Sequence, residues 1–113
     1  MPQLKLNLIQ GSVSFNFTPD AAIDLQKEIS QLLQSLKAVA AAGGKGKPTP
    51  HKPMEYRHEG EVFLEVFCNP NIYPSPFAAK VLLTIKDDRL RLTAEAELTR
   101  VIEDVNEYLE QVS

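Results

Sequence analysis

The longest periodic segment of the chain, residues 18–44, has the sequence TPDAAIDLQKEISQLLQSLKAVAAAGG. Its apolar side chains recur at steps of three and four, a spacing that places them along one side of an α-helix. They are Ala22, Leu25, Ile29, Leu32, Leu33, Leu36, Val39 and Ala40. Thr18 and Pro19 suit the start of a helix, and the glycine pair at 43–44 suits its end. The pattern predicts an amphipathic helix whose apolar side needs a sheet to cover it.

Length and composition indicate one folded domain. A chain of 113 residues with 43% hydrophobic and 24% charged residues is large enough for one two-layer core and too small for two. The net charge of −3 is unevenly distributed, since residues 43–58 hold four basic and one acidic group and residues 59–113 hold five and eleven. We therefore expect a single domain over residues 1–113, with a flexible basic loop of glycine and proline at about 41–53.

Three pairs of alternating segments predict three β-hairpins. In the first, residues 4–8 and 13–17 flank a turn at 10–11, which would pair Leu6 with Phe15. This register keeps the alternating apolar side chains on one face of the hairpin.

The other two hairpins follow the basic loop. Residues 54–58 and 61–68 flank a turn at 59–60, which would place Tyr56 opposite Phe63. Residues 79–85 and 90–94 flank a turn at 87–88, which would pair Leu83 with Leu92.

The last segment returns to helical spacing. Its apolar side is formed by Leu98, Val101, Ile102, Val105, Leu109 and Val112, and its outer side by Glu103, Asp104, Glu107 and Glu110. The order is therefore ββ-α-ββ-ββ-α, which predicts an α+β fold with a mainly antiparallel sheet and both helices on one face.

More apolar side chains exist than one covered sheet face can bury. The surplus consists of Phe63, Phe67, Ile72, Tyr73 and Phe77, in and just after one strand, where prolines stiffen the chain. Exposed apolar groups of this kind mark contacts with other proteins. The sequence thus predicts a small non-catalytic adaptor or assembly factor that binds a protein partner, and a homodimer would cover the same face.

A second hypothesis rests on the basic loop. Lys45, Lys47, Lys52 and Arg57 could contact phosphate groups, nucleic acid or an acidic protein surface. The acidic chain and the scarcity of aromatic residues in the loop argue against nucleic acid, so an acidic protein partner is the preferred expectation.

The sequence indicates no active site, metal or cofactor. Cys68, His51 and His58 lack the paired spacing of a zinc site, and Cys68 fits a buried strand position. The glutamates fall on solvated faces rather than in pairs, so an enzyme is the third hypothesis only. One cysteine, no export signal and no apolar run of about 20 residues predict a cytoplasmic protein that does not enter membranes.

Overall fold

The structure is a computed structural model that describes residues 2–42 and 51–112. Its strands and helices are β1 (Gln3–Asn7), β2 (Ser12–Asn16), α1 (Pro19–Ala42), β3 (Met54–His58), β4 (Phe63–Cys68), β5 (Lys80–Lys86), β6 (Arg91–Glu97) and α2 (Leu98–Val112). Two short 3₁₀ turns, Pro70–Ile72 and Pro76–Ala78, lie between β4 and β5. The predicted α+β class and element order are confirmed, whereas the predicted helix end at 43–44 lies outside the described residues.

The strands form two antiparallel sheets. Strands β3-β4-β5-β6 pair in sequence order in a four-stranded sheet, and β1 and β2 form a separate two-stranded sheet. The β1–β2 hairpin touches the larger sheet through its turn, where the amide of Ile9 donates to the carbonyl of Glu95 at 3.1 Å. Strand β1 lies along α2 instead of joining the larger sheet, which is why the sheet expected from the sequence is divided.

One continuous core lies between the larger sheet and the layer formed by α1, α2 and the β1–β2 hairpin. The predicted apolar side of α1 supplies Ala22, Leu25, Ile29, Leu32 and Leu36, all buried. Helix α1 begins as predicted, since the amide of Ala21 donates to Thr18 Oγ1 at 3.2 Å. The Tyr56 hydroxyl of β3 then donates to the Ala21 carbonyl at 2.9 Å, which ties the first turn of α1 to the sheet.

The predicted register of the first hairpin is wrong by two residues. Leu6 pairs with Val13 rather than Phe15, because the loop holds four residues, 8–11, instead of two. Within it the amide of Leu8 donates to the Gly11 carbonyl at 2.9 Å, and Gly11 has a φ of 90°, which favours glycine. An even shift preserves the face of every side chain, so Leu4, Leu6, Phe15 and Phe17 are still buried together.

The third hairpin shows the same error for the same reason. Leu83 pairs with Ala94, not Leu92, because the loop is again four residues long. The Asp87 carboxylate shapes this loop by accepting the amides of Arg89 and Leu90, both at 2.8 Å. These hydrogen bonds favour the charged form and lower the pKa of Asp87.

The register of the second hairpin differs from the predicted one by three residues. An odd shift moves side chains to the other face of the sheet. Tyr56 pairs with Val66 rather than Phe63, and β4 starts at Phe63. Tyr56 is therefore buried in the core, whereas Phe63 lies on the opposite face of the sheet.

The prediction that Asp104 lies on the outer side of α2 is wrong. Its side chain is 3% exposed and accepts two hydrogen bonds from Asn7, one from the backbone amide at 2.8 Å and one from the side-chain amide at 2.9 Å. Arg100 Nε lies 3.6 Å from the same carboxylate. Nearby, the Tyr108 hydroxyl donates to the Phe17 carbonyl. Buried polar bonds therefore join α2 to the β1–β2 hairpin in addition to apolar packing.

Replacing Asp104 with alanine leaves the Asn7 amides without their acceptor. The free energy of unfolding should fall by about 1–3 kcal/mol, which lowers Tm by roughly 4–8 °C per kcal/mol in a domain of this size. Glu103→Ala is the matched control, because the Glu103 side chain is 69% exposed and its bond to Arg100 is a surface ion pair. Equal Tm values for the two variants in thermal unfolding would contradict this role of Asp104.

Cys68 is buried at the end of β4, as the sequence predicts. Burial disfavours the thiolate and raises the pKa of Cys68 to about 11. At pH 8 the native thiol is therefore protonated and shielded, so a disulfide reagent should modify it only after unfolding in denaturant. If Cys68 of the native protein were modified completely at the rate of a free thiol, the end of β4 would have to be exposed to solvent.

Candidate functional site

The face of the larger sheet that points away from the helices is called the outer face. In rows across the strands it carries Phe63, Lys86 and Arg91 (the basic row), Arg57, Glu65, Thr84 and Thr93 (the middle row), and Glu55, Phe67, Leu82 and Glu95 (the acidic row). Beyond the acidic row, the paired Lys80 and Glu97 lie on the same face. Alternation along each strand assigns these side chains to this face, since their neighbours point into the core. Apolar side chains thus occupy both central strands in the acidic row, whereas in the basic row only β4 carries one, Phe63.

Contacts within the outer face order some of its charges. Lys86 Nζ lies 4.6 Å from the centre of the Phe63 ring, so the cation covers this ring. In the middle row, Arg57 Nε donates to Glu65 Oε2 at 2.6 Å, which raises the pKa of Arg57. The basic end and the middle are therefore partly covered by charged side chains, and the acidic row is more open.

A shallow groove opens beside the acidic row, with a volume of about 170 Å³. Phe67 and Leu82 of the sheet and Ile72 and Tyr73 of the loop after β4 provide its apolar lining. Lys80 and Glu95 also line the groove, so both signs of charge border the apolar surface. Such a combination suits an apolar anchor from a partner, surrounded by polar contacts.

The loop that carries Ile72 and Tyr73 is held by side-chain hydrogen bonds. The amide of Asn71 donates to Asn69 Oδ1 at 3.0 Å, which shapes the turn. The Asn71 side chain in turn accepts from the His51 amide and donates to the His51 carbonyl, each at 2.8 Å. Pro70 is buried beneath this turn. The groove is therefore built on an anchored loop, which limits the entropy lost on binding.

The structure brings together three of the five apolar residues that the sequence assigned to a partner site. Phe67, Ile72 and Tyr73 line the groove, and Tyr73 also packs against the core. Phe63 lies at the other end of the outer face beneath Lys86. Phe77 is exposed but sits in the second 3₁₀ turn, which contacts both helices rather than the groove.

Sequence reasoning missed Leu82, the fourth apolar residue of the groove. A signal was present, because Leu82 and Leu83 are consecutive in an alternating strand and must point to opposite faces. Leu83 is buried in the core, so Leu82 is exposed on the outer face.

The residues assigned to the basic site are only partly described. Lys45 and Lys47 lie outside the described residues, Lys52 is exposed, and Arg57 is on the outer face in its ion pair with Glu65. The ring of His58, at the end of β3, packs edge-on against Phe17 with centroids 5.2 Å apart.

Other concave surfaces occur on the opposite side of the molecule. The largest apolar one, about 260 Å³, lies between α1 and α2 above Ile29 and Val105, and a 2.9 Å hydrogen bond from Gln26 to Asn106 crosses between the helices. A polar cleft of about 380 Å³ lies between β1 and α2. It contains the Asp104 carboxylate, which already accepts a hydrogen bond from the Asn7 side chain.

The titratable groups with shifted pKa values have structural partners or are buried. The pKa values of Tyr56 and Tyr108 are raised by burial, and each hydroxyl bonds to a backbone carbonyl. Burial also raises the pKa of Tyr73. In residues 2–42 and 51–112, no three His, Cys, Asp or Glu side chains gather as a metal site would require. No helix in these ranges is long and apolar enough to cross a bilayer.

Comparisons with protein-family models, with curated proteins and with solved structures find no match to this chain.

The two loop residues of the groove should differ in their effect on stability. Ile72→Ser should change the free energy of unfolding by less than about 0.5 kcal/mol, as is usual for an exposed position. Tyr73→Ser should lower the free energy of unfolding by about 1–2 kcal/mol, because the part of the ring that packs against the core is lost. Urea titrations of both variants measure this difference. A large loss in Ile72→Ser would mean that the side chain supports the fold instead of lining an open groove.

Proposed function

We propose that this protein is a small non-catalytic interaction domain, an adaptor or assembly factor, which binds a protein partner through the groove and the adjoining outer face. The observation that carries the proposal is the convergence of Phe67, Leu82, Ile72 and Tyr73 on one sheet face that neither helix covers. Exposed apolar groups contribute most to binding when they lie together and can be removed from water in one step.

The chemistry of the groove supports recognition of a protein rather than a small charged ligand. Its lining is mainly apolar, and Lys80 and Glu95 can each pair with a group of opposite charge. A short apolar or aromatic segment with mixed charges on either side fits this arrangement. The preference for an acidic partner rests on the basic loop and not on the groove.

The non-catalytic part of the proposal is supported by how the polar groups are used. No buried side-chain nitrogen or oxygen in the described ranges lacks a hydrogen-bond partner. The hydroxyls of Tyr56 and Tyr108, whose pKa values are raised, hold the fold, and the Asp87 carboxylate holds a turn. Tyr73 and Cys68 line the groove, and burial is the largest cause of the raised pKa of each. We also infer a reducing, cytoplasm-like compartment from the single buried thiol of Cys68.

The test compares capture of partners by two double variants with matched exposure. Ile72→Ser with Leu82→Ser removes two apolar groups of the groove, whose exposed fractions are 66% and 42%. Leu90→Ser with Ile23→Ser removes apolar groups of equal exposure, 65% and 41%, away from the groove. Immobilised wild-type protein and the control should retain the same proteins from the native cell extract, and the groove variant should retain at least about tenfold less.

Circular dichroism and Tm establish that both variants are folded before capture is compared. Equal retention by the groove variant and the wild-type protein would contradict the proposed site. Equal loss in both variants would also contradict it, because the groove would then have no special role.

A further inference from the structure

The acidic row places a carboxylate on each side of two apolar side chains. It crosses all four strands in the order Glu55, Phe67, Leu82 and Glu95. Neither carboxylate makes an ion pair within 4 Å in residues 2–42 and 51–112. The row thus presents an apolar pair between two charges that the described part of the chain leaves without an ion-pair partner.

The nearest cations on the outer face stand beside other carboxylates. Arg57 of β3 donates to Glu65 at 2.6 Å. Lys80 borders the groove beyond the acidic row, and its direct cross-strand neighbour is Glu97. With these two pairs matched, one net negative charge remains on the β3 side of the apolar pair and one on the β6 side. The mixed charges around the groove therefore add up to a negative charge on each flank.

We propose that the groove and the acidic row bind an extended segment of another protein with the order basic–apolar–basic. This inference rests on the proposed function, because it names the chemistry of the partner at the same site. The apolar side chain packs on Phe67 and Leu82, and the two basic side chains contact Glu55 and Glu95. Charge contacts on both flanks fix the position of the segment and disfavour acidic ones. The acidic partner expected from the sequence concerns the basic loop and not this site.

The spacing within the acidic row fits an extended chain. Neighbouring strands lie about 4.8 Å apart, so the three intervals from Glu55 to Glu95 span about 14 Å. An extended chain rises about 3.3 Å per residue, which puts residues i and i+4 about 13 Å apart. The side chains of residues i, i+2 and i+4 point to the same side of such a chain. Three alternate residues of one short segment can therefore reach Glu55, the apolar pair and Glu95 together.

The borders of the groove favour a segment that crosses the strands. The loop with Ile72 and Tyr73 lines the groove beyond the end of β4, and the middle row with the Arg57–Glu65 pair lies on the other side. A chain along the acidic row passes between these borders, whereas a chain along the strands would place one end over the basic row. The groove volume of about 170 Å³ is below the roughly 300–1,000 Å³ of small-molecule pockets, so it suits one side chain of a larger partner.

The expected strength is low for an isolated segment. Its contacts are one apolar side chain and two exposed ion pairs, and exposed ion pairs contribute little and are screened by salt. A short peptide should therefore bind with Kd of about 1 mM at low salt and more weakly as salt is added. A whole partner protein would add contacts outside the acidic row.

Three synthetic peptides with blocked ends test the proposed chemistry. The basic probe is Gly-Lys-Ser-Phe-Ser-Lys-Gly, the acidic probe has glutamate in place of both lysines, and the third probe has serine in place of phenylalanine. NMR titration of the wild-type protein at low salt should show the basic probe shifting the amide signals of Phe67 and Leu82 with Kd of about 1 mM. The other two probes should each bind at least about fivefold more weakly, because each lacks one kind of contact.

A charge exchange in the protein tests the two flanks. The variant with Glu55→Lys and Glu95→Lys should reverse the preference and bind the acidic probe at least about threefold more tightly than the basic one. The control with Glu59→Lys and Asp88→Lys makes the same change in net charge at exposed positions in the turns at the other end of the sheet. It should still prefer the basic probe. Circular dichroism and Tm establish that both variants are folded.

Four results would overturn the inference. They are no binding of the basic probe up to about 10 mM, equal binding of the acidic probe, an exchange variant that keeps the wild-type preference, and a control variant that reverses it.

Failure of this inference is distinguishable from failure of the proposed function. Capture from the extract that depends on Ile72 and Leu82, without a preference for the basic probe, refutes only the basic flanks. The expected preference among the probes, with capture that does not depend on Ile72 and Leu82, refutes only the proposed function.

Discussion

The pairing of β4 with β5 is the constraint on which the rest of the structure depends. Their register places Val66 beside Leu83 on the core side and Phe67 beside Leu82 on the outer side. Because side chains alternate strictly along a strand, a slip of one residue would exchange these two sets and expose the core residues. With β3 and β6 added on either side, this pairing fixes which side chains α1, α2 and the first hairpin bury.

The side chains that stabilise the fold and those that we propose to bind a partner therefore lie on opposite faces of one sheet. The inner face is apolar and is joined to its covering layer by a few buried polar bonds, of which those of Asp104 with Asn7 and of Tyr56 with Ala21 are the clearest. The outer face combines apolar side chains with separated charges, and an anchored loop adds Ile72 at its open end. If the proposed function is right, changes on the outer face should alter binding with little loss of folding free energy.

The sequence predicts the parts of this arrangement that depend on local periodicity. The start of α1 follows from Thr18 and Pro19. The order of elements and the outward position of Phe67 follow from repeats of 3.6 or two residues. Register is less predictable, because an even shift leaves the hydrophobic pattern unchanged and loop length alone decides between the alternatives. The buried position of Asp104 has no local signal, since its partner Asn7 is 97 residues away. Division of the strands into two sheets likewise depends on packing of β1 against α2.

The central claim is that another protein surface covers the outer face when the chain performs its function. Hydroxyl-radical footprinting with mass spectrometry measures this directly, at low and high protein concentration and in the presence of the native cell extract. Oxidation of Phe67 and Leu82 should decrease at high protein concentration, in the extract, or in both. Oxidation of Leu90, which is exposed in a turn outside the outer face, should stay constant. Equal oxidation of Phe67 and Leu82 under every condition would contradict the account.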